Sequence, residues 1–220
     1  MKSKIQNLIK ELWLPFVISI IVLLFHTSTY YLCKFTPIEP VMVGGELDKM
    51  IPFSPIWVMF YVLWHPLLVI TPCLLYKNNK NDFYKYIIIN FIIEIVVIFI
   101  FTLYPTIYDR PYLVVNDFFT WVLNIIYVTD TPPTNCLPSM HCVICFTAIF
   151  VLLKSNKIEK KCKALGTFIY IMIVLSTLFV KQHAIVDVMA SLILVILSSL
   201  LVYKFQLDKK LENKIEKRVE

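Results

Sequence analysis

Long apolar runs, separated by short segments rich in lysine, proline or asparagine, make up most of the chain. Most runs are roughly 18–23 residues, about what a helix needs to cross 30 Å of hydrocarbon. They lack the alternation of a membrane barrel, and in lipid a helix satisfies its own backbone hydrogen bonds. The pattern predicts spans at 12–32, 53–76, 84–106, 139–153, 164–181 and 184–205. The first run follows Lys2, Lys4 and Lys10, but it is too long for a signal-peptide core and no small-residue cleavage site follows, so it reads as a retained helix. The last two spans form one nearly continuous run, broken only by Lys181, Gln182, His183 and Asp187. A single helix of that length would overshoot the bilayer, so a hairpin is expected there.

The segment 104–141 breaks the pattern. Its middle, Leu113 to Val128, is apolar and aromatic but too short, and too dotted with Asn116, Asp117 and Asn124, to span. An interfacial or re-entrant helix is expected, with Trp121 and Tyr127 in the headgroup layer. It borders lateral access for a lipid, or serves only as a packing lid. The fourth span is expected to begin at Pro138, pre-shaped for a first helical position. From there to Leu153 is roughly 24 Å of helix, less than the hydrocarbon core, so its start should lie below the membrane surface. Free N–H groups at such a helix start favour a phosphate, and Ser139 and His141 stand at that mouth. The expected fold is thus an all-α membrane protein: a six-transmembrane-helix bundle with an extracytoplasmic re-entrant or interfacial segment before helix 4.

Composition agrees with a lipid solvent. Of 220 residues, 59% are hydrophobic and 16% charged, against about 25% charged in a soluble domain. The net charge of +6 would suit nucleic acid, but its placement excludes that partner. With the N-terminus inside, seventeen Lys and Arg fall on the cytoplasmic side and only Lys34, Lys49, Arg110 and Lys181 on the other. This asymmetry puts both termini in the cytoplasm. Residues 1–220 read as one membrane domain, with a catalytic core over 53–205 and a charged, solvated cytoplasmic tail over 206–220. The six cysteines have no zinc spacing. Only Cys33 and Cys136 fall in external segments, and a disulfide between them is the less favoured reading.

Polar groups inside a membrane are costly, so their positions carry information. Glu94 is the one acidic residue deep within a span. Counting depth from the cytoplasmic ends of the second and third spans pairs it with His65, or failing that with Tyr61, while His26 reads as a packing residue. In Lys181–Asp187, His183 and Asp187 are four residues apart and share a face if helical. A carboxylate there accepts the Nδ1–H of the imidazole and leaves Nε2 free as a nucleophile. The topology places Arg110, His141 and His183 on the same external side.

Arg110-Pro111, then Pro138-Ser139-Met140-His141, then Ser176 followed by His183 and Asp187 together resemble the type 2 phosphatidic acid phosphatase superfamily, over roughly residues 55–205. The resemblance implies a metal-independent reaction without a cofactor. In it His183 attacks phosphorus to form a phosphohistidine, Asp187 orients His183, and His141 protonates the leaving oxygen and then activates the acceptor. Arg110, Ser139, the backbone at Met140 and Lys181 would bind the phosphate oxygens. The sequence departs from the family pattern at Leu103, where a lysine is expected, at Thr177, where an arginine is expected, and at Met140, where glycine is usual. The reduced motif is similar to the branch of inositol phosphorylceramide and sphingomyelin synthases, which Asp48 through Trp64 also echoes. The favoured function is a membrane lipid phosphatase acting on a lipid phosphate monoester or diphosphate. The alternatives are a phosphotransferase moving a phosphate or phospho-headgroup to a lipid alcohol, and a non-catalytic transporter or scaffold. The expected partners are a lipid phosphate and the surrounding membrane lipids.

Overall fold

A computed structural model describes residues 2–209 and 211. Eight helices run in the order α1 (Lys2–Cys33), α2 (Glu46–Met50), α3 (Val58–Asn78), α4 (Lys80–Leu103), α5 (Phe118–Thr129), α6 (Met140–Lys154), α7 (Lys160–Phe179) and α8 (Ile185–Phe205). Two short strands, β1 (Val41–Met42) and β2 (Thr106–Ile107), pair in parallel. Five helices, including all of α4, α7 and α8, are long and apolar enough to cross a membrane by length and composition. The fourth expected span, α6, has only 15 residues, or about 22 Å. It starts at Met140 with Ser139 as its N-cap, so Pro138 precedes the helix instead of opening it.

The helices alternate in direction, so the end of α1, the start of α3, the end of α4, the start of α6, the end of α7 and the start of α8 gather at one end of the bundle. The short α6 is central and packs against α4, α7 and α8. In hydrocarbon, helices are held by close packing and interhelical hydrogen bonds. Small residues make that possible here: Cys142, Cys145 and Ala148 on α6, and Ser191, Ser198 and Ser199 on α8, are buried. Outward-facing Phe99, Leu165, Phe168, Leu197 and Leu200 are exposed, as a lipid-facing surface requires.

Local chemistry explains the breaks. Asn79 ends α3, its N–H bonding the Leu75 carbonyl, and its side chain accepts from the N–H of Asn81 to start α4. Between α7 and α8, the N–H groups of Gln182 and His183 both reach the Thr177 carbonyl. Lys181 takes a left-handed φ of 54°, which costs a non-glycine residue about 1–2 kcal/mol. Its ammonium offsets that cost by donating to the carbonyls of Asp48 at 2.7 Å and Ile51 at 2.6 Å. The expected break between the last two long helices is therefore present, with α7 and α8 each packed against α6 rather than chiefly against each other.

Glu94 faces the bundle but bonds neither His65 nor Tyr61. It accepts from His26 Nδ1 at 3.0 Å and from Thr29 Oγ1 at 2.9 Å, both on α1. Depth alone did not identify the partner, because α1 packs on α4 as well as on α3 and α3 leaves His65 exposed. In the tail, Asp208 is buried rather than solvated and lies 3.7 Å from Lys85; residues 210 and 212–220 lie outside the described residues. All six cysteines are free thiols.

Candidate active site at the head of the bundle

The connections at the gathered end build a cap before any catalytic group is considered. Thr106, in β2, accepts the N–H groups of Cys136 and Leu137 on its hydroxyl at 3.1 and 2.9 Å. This fixes the backbone that leads into α6. Asp48 accepts from Gly45 N at 2.8 Å and from Ile185 N at 2.7 Å, tying the segment before α3 to the first turn of α8. A buried carboxylate with two backbone donors is costly to remove. Asp48→Ala is expected to lower unfolding stability by about 1–3 kcal/mol, read as a fall in Tm of the detergent-solubilised protein.

His183 sits in the cap just before α8, almost fully buried. Its Nδ1 lies 3.2 Å from the Cys136 carbonyl and 3.3 Å from Asp187 Oδ2. Both are acceptors, so the proton belongs on Nδ1 and the Nε2 lone pair is free. Asp187 is completely buried and is itself fixed by the N–H of Ala184 at 2.9 Å. Its Oδ1 is buried without a partner. That leaves its negative charge to act chiefly on the imidazole.

His141 projects from the first turn of α6, with its ring centroid 5.7 Å from that of His183. Tyr61 and Trp64 of α3 pack on it at 4.6 and 4.2 Å. They fix the ring without taking either nitrogen in a hydrogen bond. Ser139 is fully buried, and its hydroxyl caps the helix by accepting from Cys142 N at 3.3 Å. The N–H groups of Met140 and His141 fall in the first turn, where the helix supplies no acceptor. The two histidines line a cavity of about 370 Å³ together with Tyr30, Tyr61, Asp130 and Gln182.

Arg110 comes close to this cavity without lining it. Its guanidinium bonds the carboxylate of Asp130 and the side-chain oxygen of Gln182, and lies 4.8 Å over the Tyr127 ring. Asp130 also accepts from Tyr30 and, at 3.0 Å, from Lys34. Arg110 and Lys34 thus share one carboxylate, which leaves this corner net positive. Lys181 is turned away from the cavity, and burial lowers its ammonium below the usual lysine range despite the nearby Asp48 charge. Of the seven residues expected at the site, His141, His183, Asp187, Ser139 and Met140 come together, Arg110 stands behind Asp130 and Gln182, and Lys181 serves the cap. The sequence reading missed Lys34, Asp130, Gln182 and Tyr30. Asp130, two residues before the paired prolines Pro132 and Pro133 of the external segment, was the one signal available.

The model of the PAP2 superfamily matches residues 12–211. The chain belongs to the PAP2 superfamily. Members of the PAP2 superfamily are generally phosphatases or phosphotransferases, and this member is a membrane protein. No curated protein and no solved structure matches it significantly. The PAP2 match extends through α1, which the resemblance drawn from motifs over residues 55–205 did not reach. That helix carries His26 and Tyr30 to the site, and Lys34 directly follows its end. Among the described residues, no group of three or more His, Cys, Asp or Glu is placed to hold a metal ion.

Proposed function

We propose that this chain hydrolyses a lipid phosphate monoester or diphosphate through a phosphohistidine on His183, without a metal. The observation that carries the reading is the His183–Asp187 pair, with Nδ1 committed to two acceptors and Nε2 free beside His141. In the first step Nε2 of His183 attacks phosphorus, and the bond to the leaving lipid oxygen breaks as His141 protonates that oxygen. In the second, His141 takes a proton from water, the water oxygen bonds to phosphorus, and the Nε2–P bond breaks to restore neutral His183. Phosphoryl transfer is promoted chiefly by positioning and by fixed charge around the moving oxygens. The N–H groups of Met140 and His141, at the start of α6, supply fixed donors, and Ser139 holds that start in place. Arg110 serves through its bond to Gln182, with Lys34 adding a second positive charge.

Transfer to a lipid alcohol is the second reading. It is favoured by the neutral residues at Leu103 and Thr177, where the phosphatase pattern has cations, and by a cavity wall that presents Asp130 and Gln182 instead. The two reactions differ in the acceptor that meets the phosphohistidine.

The proposal is tested by phosphate release from labelled lipid phosphates by the purified protein. Release should persist in EDTA and be blocked by vanadate, which takes the trigonal-bipyramidal geometry of the transferring phosphoryl group. Loss of activity on chelation, restored by magnesium, would point to a different mechanism.

The α5 helix supports a site at the lipid interface, and the Lys and Arg asymmetry supports the extracytoplasmic side. The helix buries Thr120, Leu123 and Tyr127 while exposing Phe118, Trp121, Ile125 and Val128, the face an interfacial helix lays against lipid. In the same reading both termini are cytoplasmic. A bilayer-impermeant thiol reagent on intact cells should therefore label a cysteine placed at Asn116 and spare one placed at Lys157. Labelling of position 157 alone would reverse the orientation.

A further inference from the structure

A second cavity, of about 250 Å³, lies deeper in the bundle between α1, α3, α4 and α6. Its walls are almost wholly apolar, including Val22, Leu68, Ile87, Phe91 and Ile144. It meets the histidine cavity at a common wall: Leu23, His26 and Met140 line both. The polar groups near that wall form a second imidazole–carboxylate pair. His26 Nδ1 lies 3.0 and 3.2 Å from the two oxygens of Glu94, and Thr29 donates to Glu94 at 2.9 Å. With Nδ1–H committed to the carboxylate, the Nε2 lone pair of His26 is the basic position left, and among the described residues it makes no hydrogen bond. His26 is 15% exposed at its side chain.

A charge this deep in a membrane bundle is costly and marks function more often than packing. The phosphatase cycle through His183 and His141 gives this pair no task. We propose that the apolar cavity with His26 and Glu94 is the binding site for a second substrate, a lipid alcohol, which takes the phosphoryl group from His183 in place of water. The inference rests on the phosphohistidine reading of the histidine cavity.

The chemistry of the walls selects that occupant. An alkyl chain fills the apolar cavity, and a hydroxyl at its end meets Nε2 of His26, which accepts its hydrogen bond. A phosphate or ester at the same point offers only acceptors, and these would face an imidazole whose other nitrogen is tied to a carboxylate. In the transfer step the alcohol oxygen bonds to phosphorus and the Nε2–P bond of His183 breaks, leaving neutral imidazole. The hydroxyl proton passes to Nε2 of His26, Glu94 stabilises the resulting cation, and the proton returns through the cavity that both imidazoles line to His141, which gave one up in the first step.

The test is a partition experiment on the phosphoenzyme formed from one labelled lipid phosphate. Dodecanol and methanol are offered as acceptors, and alkyl phosphate is measured against free phosphate. Because each ratio is read from molecules that have already formed the intermediate, it does not depend on how much variant protein folds. In the wild type, dodecanol should capture the phosphoryl group at least about tenfold better than methanol per mole, as a filled apolar pocket gives. His26→Gln should reduce dodecanol capture relative to phosphate release by about tenfold or more. Leu23→Trp, which fills the common wall, should remove the preference for dodecanol over methanol. Phosphate release with equal capture of the two alcohols, or a His26→Gln ratio like that of the wild type, would overturn the acceptor site and leave the phosphatase reading standing. Neither release nor transfer from any lipid phosphate would overturn both.

Discussion

Replacing His183 with alanine should lower turnover by on the order of 10⁵-fold, the scale of loss when an enzymic nucleophile is removed. The side chain is held by the Cys136 carbonyl and by Asp187, and the nearby imidazole at His141 cannot reproduce that arrangement. The ring of His141 has Tyr61 and Trp64 against it and no carboxylate partner among the described residues. Initial-rate measurements on equal amounts of folded protein check the expectation. A His183→Ala variant within tenfold of wild type would remove His183 from the chemistry.

His141→Ala should cost less, on the order of 10²–10⁴-fold, the usual contribution of a general acid and base. The loss should depend on the leaving group. A donor such as p-nitrophenyl phosphate needs little protonation of its departing oxygen, so the first step should recover substantially while the second remains slow. The label should then accumulate on the protein. Equal loss with good and poor leaving groups would mean that His141 binds substrate without transferring a proton.

The parts of the site that were legible in the sequence are those written in local spacing. His183 and Asp187 are four residues apart, and the intervening chain enters α8 so that the carboxylate turns back onto the imidazole. Ser139 and His141 were legible because Pro138 before an apolar run marks a helix start, although the helix itself opens two residues later at Met140. The helical pattern located the long helices to within a few residues, and the interruption at Lys181 through His183 located the break between α7 and α8.

Features set by pairing between distant segments were not legible. Arg110 was expected at the site from its motif, but Asp130, Gln182, Tyr30 and Lys34, the groups gathered around it, come from three other stretches, and no periodicity relates those stretches. Lys181 looked like a phosphate ligand because it is a cation two residues from His183. Its left-handed backbone instead carries the ammonium to the Asp48 and Ile51 carbonyls. Glu94 was correctly expected to face inward, but a depth argument cannot choose among neighbouring helices. The choice of His26 depended on how α1 lies against α4. The two short strands were equally hidden, since two-residue pairings leave no pattern to read.

The central claim is a covalent phosphoryl group on His183, and mapping the label on the quenched protein tests it most directly. Wild type and His141→Ala are mixed with a phosphorus-labelled lipid phosphate, denatured within the first turnovers and digested, and the labelled peptide is sequenced by mass spectrometry. The expected label is stable to alkali, lost in mild acid, placed on the peptide containing His183 and greater in His141→Ala than in wild type. A label on any other residue, or continued turnover with no label trapped in either protein, would contradict the account.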